Sequence, residues 1–257
     1  MSPLKIEHLN KSYKNTKAIN NLSIEIKPGK LYGFIGINGA GKTTTINILA
    51  NILKPDSGKI EILGKEIKSG DWQYKSKVGF VLEEPKYIEH LTGAEFLKFA
   101  GIMQNLDETI IKARSKELIN FLELNDKQND LIKTYSKGMK KKISFATALL
   151  HNPKLLILDE PLEGIDPVSS NMIKKLLKNF IKNGKTVLIS SHELGTIEDI
   201  CNEFIIIHQG SNIFQGTMGM LKEEIGVTNE ELINSSLEEL FVKLIGKDSN
   251  IKTLSWF

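Results

Sequence analysis

The chain has 257 residues, of which 40% are hydrophobic and 25% are charged, which is the composition of an ordinary globular protein. Its 34 basic and 31 acidic residues give a net charge of +3, too small to indicate nucleic acid as a partner. The single cysteine, Cys201, excludes an internal disulfide. No apolar run approaches the roughly 20 residues of a membrane-spanning helix, so any work at a membrane would depend on another chain.

The first third of the chain is predicted to consist mainly of short strands. Apolar and polar residues alternate over 4–7 and 22–26, as in half-buried strands, whereas 31–35 is uniformly apolar and leads into a glycine-rich turn. Residues 46–53 continue as a helix, and 59–63 and 78–82 form further strands. Turn residues separate these elements, which favours a strand-rich start to the fold.

The next segment changes to helical patterns. Thr92 and Glu95 have the spacing of a capping box, in which each side chain satisfies a backbone donor of the other residue. This box opens a helix to about residue 103, a second helix covers about 107–122, and a third starts near Ser136. Residues 86–152 are therefore predicted to form an all-helical insert.

Alternating strands and helices return after residue 153. Strands are predicted over 155–158, 187–189 and 204–207, and Asp166 followed by Pro167 is typical of the start of a long helix. This alternation indicates a mainly parallel sheet. We therefore predict an α/β chain in three parts: a core formed by 1–85 and 153–216, the helical insert 86–152, and a helical tail 217–257.

A phosphate-binding loop follows the third predicted strand. Residues 36–44 contain the pattern G-x-x-x-x-G-K-[ST], which Gly36 to Thr43 match, and the segment includes Asn38, Gly39, Gly41, Lys42, Thr43 and Thr44. Its glycines let successive N–H groups point inward, and the following helix contributes its positive end. Lys42 is expected to reach the β- and γ-phosphates, and Thr43 to offer an oxygen to Mg²⁺. The alternative is that the pattern matches by chance. The position of the motif between a predicted strand and a predicted helix disfavours that alternative.

Two acids end the apolar run 155–158. Asp159 and Glu160 are predicted to lie at the carboxyl edge of the sheet, where open α/β folds bind ligands. There, Asp159 can hold Mg²⁺ through water, and Glu160 can polarise an attacking water molecule. Solvated acids that merely close a strand are the alternative, and the phosphate loop makes it the weaker one.

The segment before this strand resembles a family signature. Tyr135-Ser-Lys-Gly-Met-Lys-Lys141 is similar to the signature motif of ATP-binding cassette proteins, and its order with the phosphate loop, the acid pair and His192 is specific to that family. The resemblance covers about residues 3–216. It implies a P-loop NTPase core of the RecA-like type, with an N-terminal antiparallel β subdomain and an inserted α-helical subdomain.

The resemblance also implies roles for individual side chains. Tyr13 would stack on adenine, although a half-buried strand tyrosine is an alternative of nearly equal weight. Glu83 would contact Mg²⁺, and His192 would grip the γ-phosphate. Ser136 and Gly138 would contact the nucleotide bound by an opposite subunit, and Asp166 would lie in the loop that crosses the dimer interface. ATP and Mg²⁺ are thus expected to be bound in a sandwich of two subunits.

Four lysines crowd the start of the helix that follows Ser136. They are Lys137, Lys140, Lys141 and Lys142. Because the positive end of a helix disfavours cations, an incoming polyphosphate would compensate for them. The alternative is a basic surface patch. Only one arginine, Arg114, is present, so an arginine finger would have to use this residue or come from a partner chain.

The resemblance leaves three kinds of coupled process open. The Tyr-Ser-Lys-Gly-Met signature, Glu83 and the tail 236–241 are similar to bacterial drug and antibiotic-peptide export ATPases that drive a separate membrane permease. An importer ATPase and a non-transport cassette acting on DNA, the ribosome or iron–sulfur assembly are the alternatives. The expected location is the cytoplasmic face of the membrane, in a homodimer or a heterodimer, with no nucleic acid bound.

Overall fold

The computed structural model describes residues 1–226 and 235–246, which contain two β-sheets flanked by helices. The strands are β1 (Leu4–Tyr13), β2 (Thr16–Ile26), β3 (Leu31–Ile35), β4 (Ser57–Ile62), β5 (Lys65–Glu66), β6 (Val78–Val81), β7 (Leu155–Asp159), β8 (Thr186–Ser190), β9 (Glu203–His208) and β10 (Ser211–Gly216). The helices are α1 (Lys42–Leu49), α2 (Gly93–Met103), α3 (Glu108–Phe121), α4 (Lys137–Leu150), α5 (Pro167–Lys182), α6 (Leu194–Ile200), α7 (Met218–Ile225) and α8 (Leu237–Gly246).

The larger sheet has six strands in the order β10-β9-β3-β8-β7-β6. The five strands from β9 to β6 are parallel, and β10 pairs with β9 in the antiparallel sense. Strands β3, β7 and β8 are buried along their whole length, as strands covered on both faces must be. Alternate residues of β7 enter two different cores, with Leu156 and Leu158 in one and Leu155 and Ile157 in the other. The predicted parallel sheet is confirmed.

The smaller sheet has four antiparallel strands in the order β2-β1-β4-β5. Its apolar residues share a core with α1 and one face of the larger sheet. The two sheets also meet directly, because Asn20 N donates to Gly210 O at 2.9 Å and Ser211 Oγ donates to Asn20 O at 2.7 Å. This contact places the N-terminal sheet beside the phosphate-binding loop.

The helical insert consists of α2, α3 and α4, which contact one another. The capping box at its start is confirmed, because Thr92 N donates to Glu95 Oε2 at 2.8 Å and Glu95 N donates to Thr92 Oγ1 at 3.2 Å. The exact division of the chain at residues 85/86, 152/153 and 216/217 stays a prediction. Of the predicted helical tail, α7 and α8 are described, whereas 227–234 and 247–257 lie outside the described residues.

Several predicted boundaries were wrong. Helix α1 begins at Lys42 and ends at Leu49, not at 46 and 53, because Gly41 itself forms its N-terminal boundary. Strands β1 and β2 are longer than the alternating stretches, since β-bulges carry their pairing past polar residues. The sequence reading also omitted β10 and α6. In the part of the chain that the structure describes, no helix is long and apolar enough to cross a membrane.

Candidate functional site

The phosphate loop joins β3 to α1 and leaves the N-terminus of α1 open. Gly41 occupies the N-cap position with φ of 106°, and a Cβ atom there would lie 2.5 Å from the carbonyl oxygen of Ala18. Only glycine fits this left-handed, crowded position. Within the described residues, no side chain caps α1, so its first N–H groups and its positive dipole end are left for an anion.

Lys42 folds back over the loop instead of extending into solvent. Its Nζ atom donates to Gly36 O at 2.6 Å, with Ile37 O at 3.4 Å, and the residue is only 7% exposed. Burial lowers the pKa of the Lys42 amine, and the carboxylates of Glu160, Asp159 and Glu83 partly oppose this shift. A buried ammonium group surrounded by carbonyls and acids is therefore held next to the open helix end.

Three oxygen-bearing side chains converge beside Lys42. Thr43 Oγ1 donates to Glu83 Oε2 at 2.9 Å, and Asp159, 1% exposed at the end of β7, accepts from Ser190 Oγ at 2.5 Å. Burial raises the pKa of the Asp159 carboxyl, and hydrogen bonds from Ser190 and Thr43 oppose that rise. This hydroxyl and the two carboxylates are the hard donors that Mg²⁺ prefers, so the donor set fits this ion.

The protein donors alone would form an incomplete cation site. Within residues 1–226 and 235–246, no group of three acidic, histidine or cysteine side chains is arranged to hold a metal ion. Mg²⁺ usually keeps waters and uses one or two carboxylates together with phosphate oxygens. The arrangement therefore suits a magnesium ion that arrives with a polyphosphate.

Glu160 lies directly after Asp159 with an unusual backbone. Its φ is 45°, its N–H donates to Ser190 Oγ at 3.1 Å, and it is 7% exposed. Its Oε2 atom is 3.0 Å from Nδ1 of His192, whose ring is largely exposed. The pair sets the exposed imidazole of His192 against the buried carboxylate of Glu160.

Ser190 joins the two acids and was missed by the sequence reading. It donates to Asp159 Oδ1 and accepts from Glu160 N, so one hydroxyl orients two consecutive acidic residues. A signal was present, because Ser190 follows the apolar run 187–189, and the parallel register pairs it with Asp159. Sequence alone did not reveal which strand would be the neighbour of β7.

A cavity of about 490 Å³ collects most of the predicted site. Its lining comprises Tyr13, Thr16, Ala18, Asn38, Gly39, Gly41, Lys42, Thr43, Thr44, Glu83 and Glu160. Tyr13 is the last residue of β1 and is 47% exposed at the edge of this cavity, with Lys11 Nζ 5.7 Å from its ring centroid. Two larger cavities, of about 570 and 590 Å³, involve the helical insert and contain none of the predicted site residues.

Five predicted residues do not line this cavity. Asp159 and His192 adjoin it through Thr43 and Glu160, whereas Ser136, Gly138 and Asp166 lie at the starts of α4 and α5. Ser136 caps α4, with its Oγ accepting from Met139 N at 3.2 Å, and Asp166 caps α5, with its carboxylate accepting from Ser169 N at 2.9 Å. This hydrogen bond lowers the pKa of Asp166 to about 2. A Cβ atom on Gly138 would lie 2.8 Å from Gly164 O, so the starts of α4 and α5 approach each other closely.

The lysine cluster of α4 is paired within the chain, which supplies the charge compensation that the sequence pattern had suggested would come from an incoming polyphosphate. Lys137 pairs with Glu163 at 2.6 Å, Lys142 with Asp166 at 3.4 Å, and Lys140 with Glu89 at 3.2 Å. Lys141 is buried and donates to the carbonyls of Leu82 and Glu83, at 3.4 and 3.2 Å. Arg114 lies elsewhere, with its guanidinium donating to Leu150 O at 2.9 Å. These partners had long sequence separations and were invisible to local reasoning.

Known proteins provide an independent comparison. A family model described as ABC transporter matches residues 19–163. The linearmycin resistance ATP-binding protein LnrL of Bacillus subtilis is 36% identical over 243 residues, covering 94% of this chain and 78% of that protein. The bacitracin transport ATP-binding protein BcrA of Bacillus licheniformis is 37% identical over 212 residues, covering 80% of this chain and 67% of that protein.

Solved structures agree with these relatives. The structure of an ATP-binding subunit of an ABC transporter matches with a TM-score of 0.86 and 30% identity, covering 94% of this chain and 99% of that one. The ATP-binding cassette MJ0796, a dimer in a post-hydrolysis state bound to ADP and Pi, matches with a TM-score of 0.76 and 24% identity, over 83% of this chain and 98% of that one. The second match supports the fold alone.

Proposed function

This chain belongs to the ABC transporter family, and from that premise we propose that it is the ATP-hydrolysing subunit of an exporter. The observation that carries the ATPase part is one cavity that joins the open N-terminus of α1, Lys42, Thr43, Glu83 and Glu160, with Asp159 beside it. A phosphate cradle, oxygen donors for a cation and a carboxylate aimed at the same space are what hydrolysis of a nucleoside triphosphate requires.

The triphosphate lies over the start of α1 in this proposal. The free N–H groups of the loop, which includes Asn38, Gly39, Gly41 and Thr44, bind phosphate oxygens, and Lys42 turns from Gly36 O to the β- and γ-phosphates. Tyr13 stacks on the adenine ring at the open edge of the cavity. Thr43, Glu83 and Asp159 hold Mg²⁺, which supplies positive charge to the phosphate oxygens when it is bound.

Glu160 acts as the general base. Its carboxylate accepts a hydrogen bond from the water that attacks the γ-phosphorus, and the proton of that water moves to Glu160 as the new P–O bond forms. The bond between the γ-phosphorus and the β–γ bridging oxygen breaks, and ADP leaves. His192 lies 3.0 Å from the same carboxylate and is placed to contact the γ-phosphate. The left-handed backbone of Glu160 and its N–H bond to Ser190 fix the direction of the carboxylate. General-base catalysis of this kind typically contributes about 10²- to 10⁴-fold to the rate.

Two subunits complete each site. Ser136 and Gly138 lie outside the cavity of their own chain, which supports a role toward the nucleotide of a second subunit. Asp166, at the start of α5, is then the interface residue next to them. The solved dimeric cassettes that share this fold are consistent with such an assembly. A homodimer has the full set of side chains for two active sites, and a heterodimer remains an outcome of the experiments below.

The export part of the proposal rests on the relatives. Their names refer to linearmycin resistance, daunorubicin and doxorubicin resistance, and bacitracin transport. We infer that this chain powers a separate integral-membrane permease, at the cytoplasmic face of the membrane, and that the cargo is a drug, an antibiotic peptide or another small amphiphile. Because the permease binds the cargo, no side chain described above selects it.

The ATPase part is tested with Glu160→Gln. We expect phosphate release to fall by about 10²-fold or more, because the amide cannot accept the proton of the attacking water. Nucleotide binding is expected to persist, and light scattering should show a dimer that accumulates with MgATP. Glu193→Gln is the matched control, because Glu193 is an exposed carboxylate beside His192 that contacts Thr196. Undiminished phosphate release by Glu160→Gln would remove Glu160 from this role.

The transport part is tested by purifying the tagged protein from detergent-solubilised native membranes and identifying its partners by mass spectrometry. A multi-spanning permease without a substrate-binding protein supports export. A permease with a substrate-binding protein would indicate an importer. Recovery with ribosomes, DNA or assembly proteins would overturn the transport proposal and leave the ATPase proposal intact.

A further inference from the structure

Lys141 is the most deeply buried lysine of its cluster, and its amine contacts main-chain carbonyls, whereas the other buried lysine, Lys142, pairs with the carboxylate of Asp166. Lys141 is 2% exposed, and its Nζ atom is 3.2 Å from Glu83 O and 3.4 Å from Leu82 O. Lys140, the preceding residue, points to the surface and pairs with Glu89 at 3.2 Å. Two adjacent lysines of one helix therefore have different roles, and only one of them points into the protein.

The acceptors of Lys141 belong to the segment that carries the cation-binding carboxylate. Strand β6 ends at Val81, and Leu82 and Glu83 follow where the backbone leaves the sheet. The Glu83 side chain accepts from Thr43 Oγ1 at 2.9 Å, while its main-chain carbonyl accepts from Lys141. Glu83 is thus held at two points, one on the phosphate loop and one on α4.

The cost of burying an ammonium group argues that this contact has a purpose. A charged group removed from water needs strong compensation, and an apolar side chain would fill the same space more cheaply. The carboxylates of Glu163, Asp159 and Glu83 lie near enough to favour its charge. One charged donor thus contacts the main-chain carbonyls of two consecutive residues, which ties the chain at Leu82 and Glu83 to α4.

We propose that Lys141 is a positioning residue that couples the signature helix α4 to Glu83 in the same subunit. The inference rests on the proposed function, in which Ser136 contacts the nucleotide of the partner subunit. Lys141 lies five residues along the same helix, about 7.5 Å from Ser136 along the axis. A shift of α4 as it closes on one nucleotide therefore moves the main chain of Glu83 at the other, and the two sites communicate through one side chain.

The test compares Lys141→Met with Lys140→Met, since methionine is unbranched, apolar and similar in reach. We expect Lys141→Met to lower kcat about 10-fold or more, because about 1.4 kcal/mol of lost positioning corresponds to tenfold in rate. Lys140→Met should stay within about twofold of the unaltered protein. Lys141→Gln, which keeps a neutral donor, should recover part of the loss and guards against a simple folding defect, which a thermal melt would also reveal.

A binding measurement separates positioning from general damage. A fluorescent ATP analogue is titrated into each protein with and without Mg²⁺, in the Glu160→Gln background. Lys141→Met should bind the analogue normally without Mg²⁺ and lose most of the increase in affinity that Mg²⁺ provides, because Glu83 is no longer held. Hydrogen exchange of the backbone around residues 82–85 should accelerate in the same variant.

A double-variant cycle decides whether Lys141 acts through Glu83. In a Glu83→Ala background, adding Lys141→Met should cause no further loss of the Mg²⁺-dependent affinity or of kcat. A full additional loss there, or equal losses in the Lys140 and Lys141 variants, would overturn the inference. If the unaltered protein hydrolyses no ATP, the proposed function itself fails, and that result is distinct from either outcome of the cycle.

Discussion

The N-termini of α1 and α4 both serve phosphate in the proposed sandwich, yet they are built differently. Helix α1 begins after Gly41 and has no side-chain cap among the described residues, and its one lysine, Lys42, is buried in the loop. Helix α4 begins after Ser136, whose hydroxyl accepts from Met139 N. Its lysines are paired with acids or carbonyls of the same chain. The backbone N–H groups at the start of α1 have no side-chain acceptor, whereas at the start of α4 one of them donates to Ser136 of the same subunit.

The difference shows which helix N-terminus can bind phosphate within a single subunit. The open end of α1 can bind a polyphosphate in a single subunit, because its N–H groups, its dipole and Lys42 already point to one place. The N-terminus of α4 is capped within its own subunit, yet the Ser136 hydroxyl can still donate one hydrogen bond. A serine hydroxyl that accepts one hydrogen bond still has its own hydrogen to donate, and Ser136 can give that hydrogen to a phosphate of the partner subunit's nucleotide.

The largest effect expected is a contrast between lysines at these two termini. Lys42→Met should weaken nucleotide binding by about 2–5 kcal/mol, or roughly 30-fold to several thousandfold, because a buried charge that faces the phosphates is lost. Lys137→Met should leave binding to the single subunit nearly unchanged, since Lys137 pairs with Glu163 outside the cavity. Titration of a fluorescent ATP analogue into dilute protein measures both affinities. Similar losses in both variants would contradict the distinction between the two helix ends.

The second prediction tests whether the hydroxyl of Ser136 donates a hydrogen bond to the partner subunit's nucleotide. Ser136→Ala should lower ATP hydrolysis by about 10- to 100-fold, which corresponds to losing one hydrogen bond of 1.5–3 kcal/mol to a charged group. Binding to the single subunit should be retained, because Ser136 lies outside its own cavity. Steady-state phosphate release and the titration described above measure the two quantities.

Ser136→Thr is the control for this prediction, because threonine keeps both the cap and the hydroxyl hydrogen. It should retain most of the activity. If alanine and threonine reduce hydrolysis equally, the hydroxyl does not contact the nucleotide and serves as a cap alone. The loss of the cap itself costs about 1 kcal/mol of stability, which urea unfolding of Ser136→Ala would show separately.

The same comparison shows which features of the fold and the site could be predicted from the sequence. The existence of strands β3, β7 and β8 followed from their apolar runs, and the loop from Gly36 to Thr44 followed from its pattern, because both signals are local. The capping roles of Thr92 and Asp166 were equally local. Helix α1 was placed four residues too late, because its first turn consists of one lysine and three threonines, with no apolar periodicity to follow.

The interactions that the sequence did not predict join residues far apart in the chain. Ser190 meets Asp159 across 31 positions, Lys141 meets Glu83 across 58, and Lys137 meets Glu163 across 26. Each depends on which strand or loop becomes a neighbour in space, which no local pattern encodes. The lysine cluster was misjudged for this reason, because its charges were counted without the acids that the fold brings to them.

The smallest expected effect is on stability, and it concerns the cap that Asp166 provides at the N-terminus of a third helix, α5. Asp166→Ala should cost about 1 kcal/mol in the free energy of unfolding, because Ser169 N loses its acceptor, whereas Asp166→Asn should cost less. The pKa of Asp166 is lowered from 3.8 to about 2 in the folded chain, so its extra stabilisation is present above pH 3.8 and is lost as the pH falls toward 2. Urea unfolding of the unaltered protein and Asp166→Asn should therefore show a difference at pH 5 that shrinks by pH 3. A difference that grows with acidity would mean that Asp166 is not stabilised as a carboxylate, and its place beside Gly138 would then need another physical reason.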